Sequence, residues 1–586
     1  MARWLLSGQN PQETFGVPYP ISASYIVESA AQRGLGHIIA TLAGGTDRLD
    51  TSIPLMLSVQ GRMFVNVHYL TYNAAVVTPF DAGSIGVPKG LVTSQRKPLL
   101  PTRLLLPFRF GRSYRQTMRN YRQVIPRYRK TLNEIYWRLR DCDPCHPTDQ
   151  DLAQTGRLFG SSTLTDMIAF SSVFPFLAFL NMGVLGWVNR KAPALLNLLV
   201  GRGTSTAQLG ERMWELRQVA VQCGAETVDL LRRGEMDLAK YRIIPEAAPL
   251  LEASKRFIRT YGHRAFRYAS EFEATRLADQ PELALLTIGG LLEESEPPAV
   301  RAEAARQLGY QTLHKMDPFR RLFWQRILKW GSTLIERREE CRDTLELQNA
   351  TYGLAATVLS RHHFPNQPPD YLWLYTFEEF LSFGQSRGQK RVAPEEIERR
   401  RAELERNRRQ AAPPELVWYD PKTKAWWPVQ EAEAEERALT SEGRLQGIGA
   451  SAGSGPVEGI ALVTDSAQQA AERLLEISGP VVLVTHVTDP VWSSLFRRLT
   501  AVVTEMGGAI SHAAIVAREN GIPAVVGVPE ATRWIRDGQW VRVDGTTGTV
   551  EVVQNHPKSF SGPSHQRTES IAKQEVMYGN SNGQTG

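Results

Sequence analysis

From about Tyr114 to Asn407 the apolar residues recur mostly three and four apart, the period of helices with one buried face. Two runs, LGERMWELRQVAVQCGAETVDLL and FWQRILKWGSTLIERREECRDTLELQ, predict long amphipathic helices, and breaks are expected at Gly201–Gly203 and Pro297–Pro298. PEEIERRRAELERNRRQ (Pro394–Gln410) predicts a charge-laced helix supported by acid-to-base pairs four apart. Ahead of these, from Trp4 to about Gly90, the pattern is short: turns at Pro18–Pro20 and Gly44–Gly45, then GRMFVNVHYL (Gly61–Leu70), which alternates as a strand does. After Gly447 the period changes. Short apolar runs (GPVVLVT, AVVTEM, PAVVGV, QWVRVDG, GTVEVV) alternate with glycine turns and two short helices, predicting an α/β domain of about 110 residues. Between the two textures, AAPPE and a Trp-rich, then Glu/Ala-rich stretch read as linker, and the polar chain from His556 reads as disordered. The expected organisation is multidomain: a mainly α-helical body over 1–410, a linker over 411–443, the α/β domain over 444–555 and a tail over 556–586. At 586 residues the chain is too long for one core, which agrees.

Charge changes this picture. The net charge is +7, yet residues 444–553 hold eight basic and eleven acidic side chains, a net of −3, and residues 1–443 hold +9. A basic body and an acidic module attract each other. Between Arg103 and Arg140 eleven basic residues meet one acid, Glu134, with Phe108, Phe110, Tyr114, Tyr121, Tyr128, Tyr136 and Trp137 interleaved. That is the composition of a nucleic-acid surface. No recognition motif accompanies it, so no nucleic-acid partner is expected. A basic amphipathic helix with its aromatics in the core accounts for the run, and its outer face suits a phosphorylated ligand or an acidic protein partner. Met167 to Val188 is 22 residues without a charge, long enough for a bilayer. Pro175, Asn181, Gly183 and Gly186 interrupt it, so the expectation is a buried helical pair around a pocket, and no membrane partner. Four cysteines argue against a disulfide-stapled secreted scaffold, and MARWLLSGQNPQETFG is no signal peptide, so a cytoplasmic protein is expected.

Two apparent motifs carry no chemistry. Cys142-Asp-Pro-Cys145-His146 matches the haem-attachment string, but an Asp/Pro-rich turn is expected there, and Cys223 and Cys341 lie too far off in separate helical patterns to complete a zinc site. No phosphate-binding P-loop occurs. The informative stretch is Thr504-Glu-Met-Gly507-Gly508-Ala-Ile-Ser511-His512-Ala-Ala-Ile-Val-Ala-Arg518-Glu519. A strand runs into a double-glycine turn, and a helix begins at about Ser511. Ala513, Ala514 and Ala517 let that helix pack closely. His512 therefore sits in a first turn, where unpaired backbone N–H groups and the helix dipole favour an anion. A cationic imidazole is disfavoured there. A neutral nucleophile whose adduct is negative is favoured, which is what a phosphohistidine requires.

This stretch, with GIPAVVG (Gly521–Gly527) and DGTTGTV (Asp544–Val550), resembles the mobile phosphohistidine domain of the phosphoenolpyruvate-utilising enzymes. GIGASAGSGPVEGIA (Gly447–Ala461) is similar to that domain's opening, and TDPVWSSLF (Thr488–Phe496) to its next motif. Ile510 stands where the synthase and dikinase members have threonine. An aliphatic residue there is more like the rifampicin phosphotransferase branch. The body agrees: LLVGRGTSTAQLGERMWELRQVA (Leu198–Ala220), YGHRAFRYASEFE (Tyr261–Glu273), RREECRD (Arg337–Asp343) and YLWLYTFEEF (Tyr371–Phe380) resemble, in order, that branch's helical substrate-binding domain. In that family a helix carrying R-E-x-x-K faces the phosphohistidine. Here the string is Arg338-Glu339-Glu340-Cys341-Arg342, so the charge survives and a lysine's proton-transfer chemistry does not.

The resemblance implies a swivelling α/β phosphohistidine domain beside a substrate-binding body, in an ATP-dependent phosphotransferase. It assigns His512 as the phosphoryl carrier, Gly507, Gly508 and Ser511 as its cradle, and Arg338, Glu339 and Arg342 as the body's catalytic group. His263 is a candidate general base or acceptor-orienting residue, and a structural histidine is an equal alternative. Neither the family's ATP-grasp domain nor its pyruvate-binding barrel is expected in this chain. Its layout is similar to the histidine-bearing subunit of phenylphosphate synthase. The expectation is therefore that this chain alone binds no cofactor. ATP and Mg would be supplied through a separate ATP-grasp protein, and the acceptor would be a small organic molecule with a hydroxyl group. Two other readings are a catalytically silent regulatory or binding homologue and a phosphorelay protein passing phosphate to another protein.

Overall fold

A computed structural model describes residues 4–7, 17–27, 36–43, 49–50, 52–73, 100–199, 205–265, 271–292, 297–411, 413–414, 416–429, 444–453, 455–477, 479–488, 490–507 and 511–553. The expected disordered tail over 556–586 lies outside them. The molecule is multidomain, with a mainly helical body and a C-terminal α/β domain.

The body's main helices are α1 (Leu100–Asp141), α2 (Ser161–Lys191), α3 (Ser205–Gln222), α4 (Leu283–Leu291), α5 (Pro298–His314) and the 46-residue α6 (Pro318–His363). Asp317 starts α6 by accepting a hydrogen bond from the Arg320 N–H (3.0 Å), and Pro318 occupies the first turn, where its missing N–H costs nothing. Helices α1 and α6 run side by side in the same direction: Trp330 Nε1 donates to Tyr114 (3.2 Å), and one end further on Tyr128 donates to Gln348 (2.9 Å). α2 runs the opposite way, so Arg127 near the middle of α1 reaches Asp166 near its start (2.8 Å).

Three sequence expectations change here. Met167 to Val188 belongs to one helix, not a helical pair. Pro175 removes one backbone hydrogen bond, yet Met167, Phe170, Val173, Phe176, Leu177 and Leu180 are buried in the central cluster and hold the helix through the proline. By length and composition it is the single candidate membrane span among the described residues. The first long amphipathic run divides at Gly224, whose φ of +87° no helix accommodates, into α3 and a helix over Gly224–Arg232. The strand expected over Gly61–Leu70 ends at Asn66, because the Asn66 side chain accepts from the His68 and Tyr69 N–H groups (3.0 and 3.3 Å) and starts a helix over Val67–Tyr72.

A small antiparallel sheet joins the two ends of the body. Its strands β1 (Trp4–Ser7), β2 (Met56–Val59), β3 (Arg62–Asn66), β4 (Leu416–Tyr419) and β5 (Trp426–Pro428) lie in the order β2-β3-β1-β4-β5. Register pairs Trp4 with Tyr419 and Ser7 with Leu416. The first half of the expected 411–443 linker is thus a hairpin of the body. Alternating Val417 into a cluster with Leu6, Val59 and Phe64 gives it a buried face. Residues 430–443 lie outside the described residues.

The C-terminal sheet has eight strands: β6 (Leu445–Gln446), β7 (Ile448–Ala452), β8 (Val457–Val463), β9 (Val481–Thr485), β10 (Ala501–Thr504), β11 (Pro523–Val526), β12 (Trp540–Asp544) and β13 (Thr549–Val552). Their order is β6-β13-β12-β8-β9-β10-β11-β7, parallel from β8 to β11 and antiparallel at the flanks. The parallel strands read as continuous apolar runs because both faces are covered. Val481, Leu483 and Val502 face a cluster containing α7 (Ala467–Glu476) and α8 (His512–Asn520), whereas Val482, Val484 and Val503 pack with Ile535, Val541 and Val550.

The α/β domain docks on the body. α8 lies against α5, and α7 against α4. Met236 packs into the domain's helical cluster, and a Cβ at Gly210 of α3 would collide with the Arg497 guanidinium.

Candidate functional site

The region around His512 is built mostly from backbone. β10 leaves the sheet at Thr504, whose hydroxyl donates to the Met506 carbonyl (2.6 Å) and folds the chain into a turn. Gly507 follows at φ +115°, and a Cβ there would stand 2.8 Å from the Ser511 Oγ. Only glycine combines that backbone angle with that approach. Ser511 is the buried N-cap of α8 and accepts from the Ala514 N–H (3.3 Å), which leaves His512 as the first helical residue. Ala513, Ala514 and Ala517 are buried, so small side chains do bring the helix close to the sheet. Gly521 ends α8 in the left-handed conformation, and Arg518 ties the last turn to the Ala450 carbonyl of β7 (2.7 Å). Gly508 lies outside the described residues, and for His512 the description extends to its backbone.

Two residues missed in the sequence flank this turn. Glu505 accepts from the Thr532 N–H (2.8 Å) and hydroxyl (2.5 Å), and its other oxygen lies 2.7 Å from His486 Nδ1. Burial pushes the Glu505 carboxyl up, but His486 and Thr532 outweigh it and hold it below its ordinary value. Both stand just past the C-terminal ends of the parallel strands β9 and β10, the edge at which α/β sheets place ligands. Glu505 lies inside the motif itself and was open to notice. His486 carries no such signal.

The four body candidates converge. His263 is buried and its Nε2 lies 3.1 Å from Asp343 Oδ1. Arg264 Nε lies 2.8 Å from the same oxygen and reaches Glu346 (3.4 Å). Arg342 spans Glu346 (3.6 Å) and Glu339 (3.9 Å), and Arg338 pairs with Glu339. Arg129 of α1 pairs with Asp343 from the other side. One ion network therefore runs from Arg338 to His263 through Glu339, Arg342, Glu346, Arg264 and Asp343. Its carboxylates are buried, and the Arg338 and Arg342 side chains keep 14% and 17% of their exposure. Burial pushes Asp343 up, but Arg264, His263 and Arg129 together hold its carboxyl well below the usual range. Burial also works to lower Arg264, and Asp343, Glu346 and Glu339 hold it above its ordinary value. Asp343 is thus an acceptor only, so Nε2 of His263 donates to it. The sequence offers Glu346 as a pairing partner of the two arginines, and its contact with Arg342 (3.6 Å) bears that out, whereas Arg129, Arg264 and Asp343 were not read from it. The spacing of Glu339, Asp343 and Glu346, four and then three apart on one helix face, was the available signal.

Among the described residues no group of three or more His, Cys, Asp or Glu side chains is placed to hold a metal ion. Cys142–His146 forms a turn in which the His146 Nδ1 lies 3.0 Å from Asp143.

Comparison with known proteins assigns both regions. Residues 477–548 match the family model of the PEP-utilising enzyme, mobile domain, and residues 169–339 that of the rifampicin phosphotransferase fourth domain. A rifampicin phosphotransferase from Streptomyces sviceus is 28% identical over 415 residues, which is 67% of this chain and 45% of that relative. A phosphoenolpyruvate synthase from Aeropyrum pernix is 41% identical over 139 residues, 24% of this chain and 16% of the relative. Prodigiosin synthesizing transferase PigC from Serratia marcescens is 31% identical over 304 residues, half of this chain and 32% of the relative. The matches span less than half the length of each of these curated relatives. Two family models thus match one chain: the mobile domain of the PEP-utilising enzymes around His512, and the rifampicin phosphotransferase fourth domain over residues 169–339 of the body.

Proposed function

We propose that this chain is a phosphotransferase subunit in which His512 carries a phosphoryl group from a separate ATP-grasp protein to an organic hydroxyl held by the helical body. One observation carries the reading: His512 is the first residue of a Ser-capped helix that leaves a glycine turn at a parallel strand end, within the segment that matches the mobile domain. In loading, an imidazole nitrogen attacks the phosphorus, the N–P bond forms, and the bond to the donor's leaving oxygen breaks. The first-turn N–H groups of α8 face the charge that arrives. The α/β domain then swings to the body. In unloading, the acceptor oxygen attacks, the N–P bond breaks, and the hydroxyl proton passes to a base. Nδ1 of His263, oriented by Asp343, suits that role, and Arg338 and Arg342 lie on the same network to spread the phosphoryl charge. ATP and magnesium enter only with the partner.

The test is phosphoryl transfer from ATP labelled at the β-phosphate, in the presence of the cognate ATP-grasp protein. An acid-labile, base-stable label should appear on the chain, and His512→Ala should abolish it while the melting temperature stays unchanged. Label persisting on the folded variant ends the proposal.

A further inference from the structure

A cavity of about 470 Å³ opens between α1 and α6, walled by Tyr114, Met118, Arg115, Arg119, Arg122 and Arg337. Arg115, Arg119 and Arg122 recur four and then three apart on α1, so one helix face presents all three, and each is exposed. Arg337 reaches in from α6. It is half-buried, with its guanidinium against the Met118 sulfur (2.8 Å) and over the Tyr121 ring (5.4 Å). None of the four makes an ion pair with a described residue. Glu340, three residues beyond Arg337 on α6, is taken up by the Tyr121 hydroxyl. Four guanidiniums around one concavity repel one another, and burying Arg337 without a carboxylate costs free energy unless an anion completes the site. Arg338 and Arg342, further along the same helix, do have carboxylates.

We infer that this groove is a binding site for a small phosphorylated anion. Guanidinium forks match phosphate oxygens in pairs, and several forks converging on one concavity suit a group with more than one negative charge. The volume is that of a small-molecule site, and an acidic protein surface would meet a flat or convex basic face instead. Tyr114, stacked on Phe110 with centroids 6.2 Å apart, supplies an apolar wall for the organic part of the ligand. The inference does not depend on the chemistry assigned to His512.

Calorimetric titration of the full chain with inorganic pyrophosphate tests it, at low and at physiological salt. Binding should appear and weaken with salt, and Arg119→Gln, on an exposed side chain that folding does not need, should weaken it about tenfold. Arg337→Gln should do the same, Lys130→Gln on an exposed position of the same helix should change nothing, and His512→Ala should bind as the wild type does. Absent binding, or binding indifferent to Arg119→Gln, overturns the inference. A polyglutamate peptide that binds through Arg119 while pyrophosphate does not would also overturn it, and would give the groove to an acidic protein partner.

Discussion

The body network and the turn ahead of His512 are built in opposite ways. In the body, charge comes from side chains: three buried carboxylates on α6 hold Arg129, Arg264, Arg338, Arg342 and His263, drawn from α1, α6 and the segment after Tyr261. In the α/β domain, the start of α8 is set by backbone geometry, fixed by Gly507, the Ser511 cap and three alanines. Buried ion networks are rigid but depend on every member, since each lost partner leaves a charge without compensation. A helix start depends on a few conformational requirements, and most of its side chains only pack. A mobile carrier suits the second construction. A fixed station that must stay ordered while charge arrives and leaves suits the first.

Removing one member of the network is the strongest way to break this contrast. Asp343→Ala takes away the partner of His263, Arg129 and Arg264 at once, and should destabilise the body by about 3–5 kcal/mol, read from denaturant unfolding. The acid limb gives the sign. Because the folded carboxyl lies well below its ordinary value of 3.8, its contribution is complete above that pH and is lost as pH falls through the depressed value. The stability gap between wild type and Asp343→Asn should therefore narrow as pH drops below 3.8. A gap independent of pH would mean that the ionised carboxylate is not what holds the network.

Arg342→Ala sharpens the comparison on the functional side. Arg342 already spans Glu339 and Glu346, so the question is whether it also serves the transferring group. A preorganised donor of that kind is worth roughly 10²–10³ in turnover. With His512 loaded beforehand and acceptor added, single-turnover decay should slow by about that factor, while loading by the partner stays normal. Equal decay rates would confine Arg342 to holding the two glutamates.

How much was legible follows the same division. The turn before His512 is spelled in residue types with few other uses: a glycine that must adopt φ +115°, a serine cap, small residues on the packed face. The helix over Pro394–Arg409 is legible for a similar reason, since local charge pairs and its proline start decide it. What escapes are features set by contacts distant in sequence. The pairing of β1 with β4 joins positions more than four hundred residues apart, and nothing within LVWY distinguishes a strand of the body from linker. Asp343 and Glu346 look like the exposed acids of any charged helix until Arg264, from another segment, meets them in the core. The α2 stretch misleads in the other direction: proline and glycines suggest a break that packing on α1 and α6 overrides.

The smallest effect separates cap from chemistry at Ser511. Its hydroxyl accepts from the Ala514 N–H, and losing such a cap costs about 1 kcal/mol. Ser511→Ala should lower the stability of the α/β domain by that amount and reduce, without abolishing, the labelling of His512. The reduction arises because the first turn of α8 frays and its N–H groups no longer hold one direction. Ser511→Thr keeps an acceptor oxygen and should restore both quantities together. If threonine restores stability but labelling stays low, Ser511 contributes more than the cap, and its hydroxyl belongs with the groups that meet the phosphoryl oxygens. If alanine leaves labelling at the wild-type rate, the orientation of the first turn does not govern loading, and the backbone account of this station fails at its most local point.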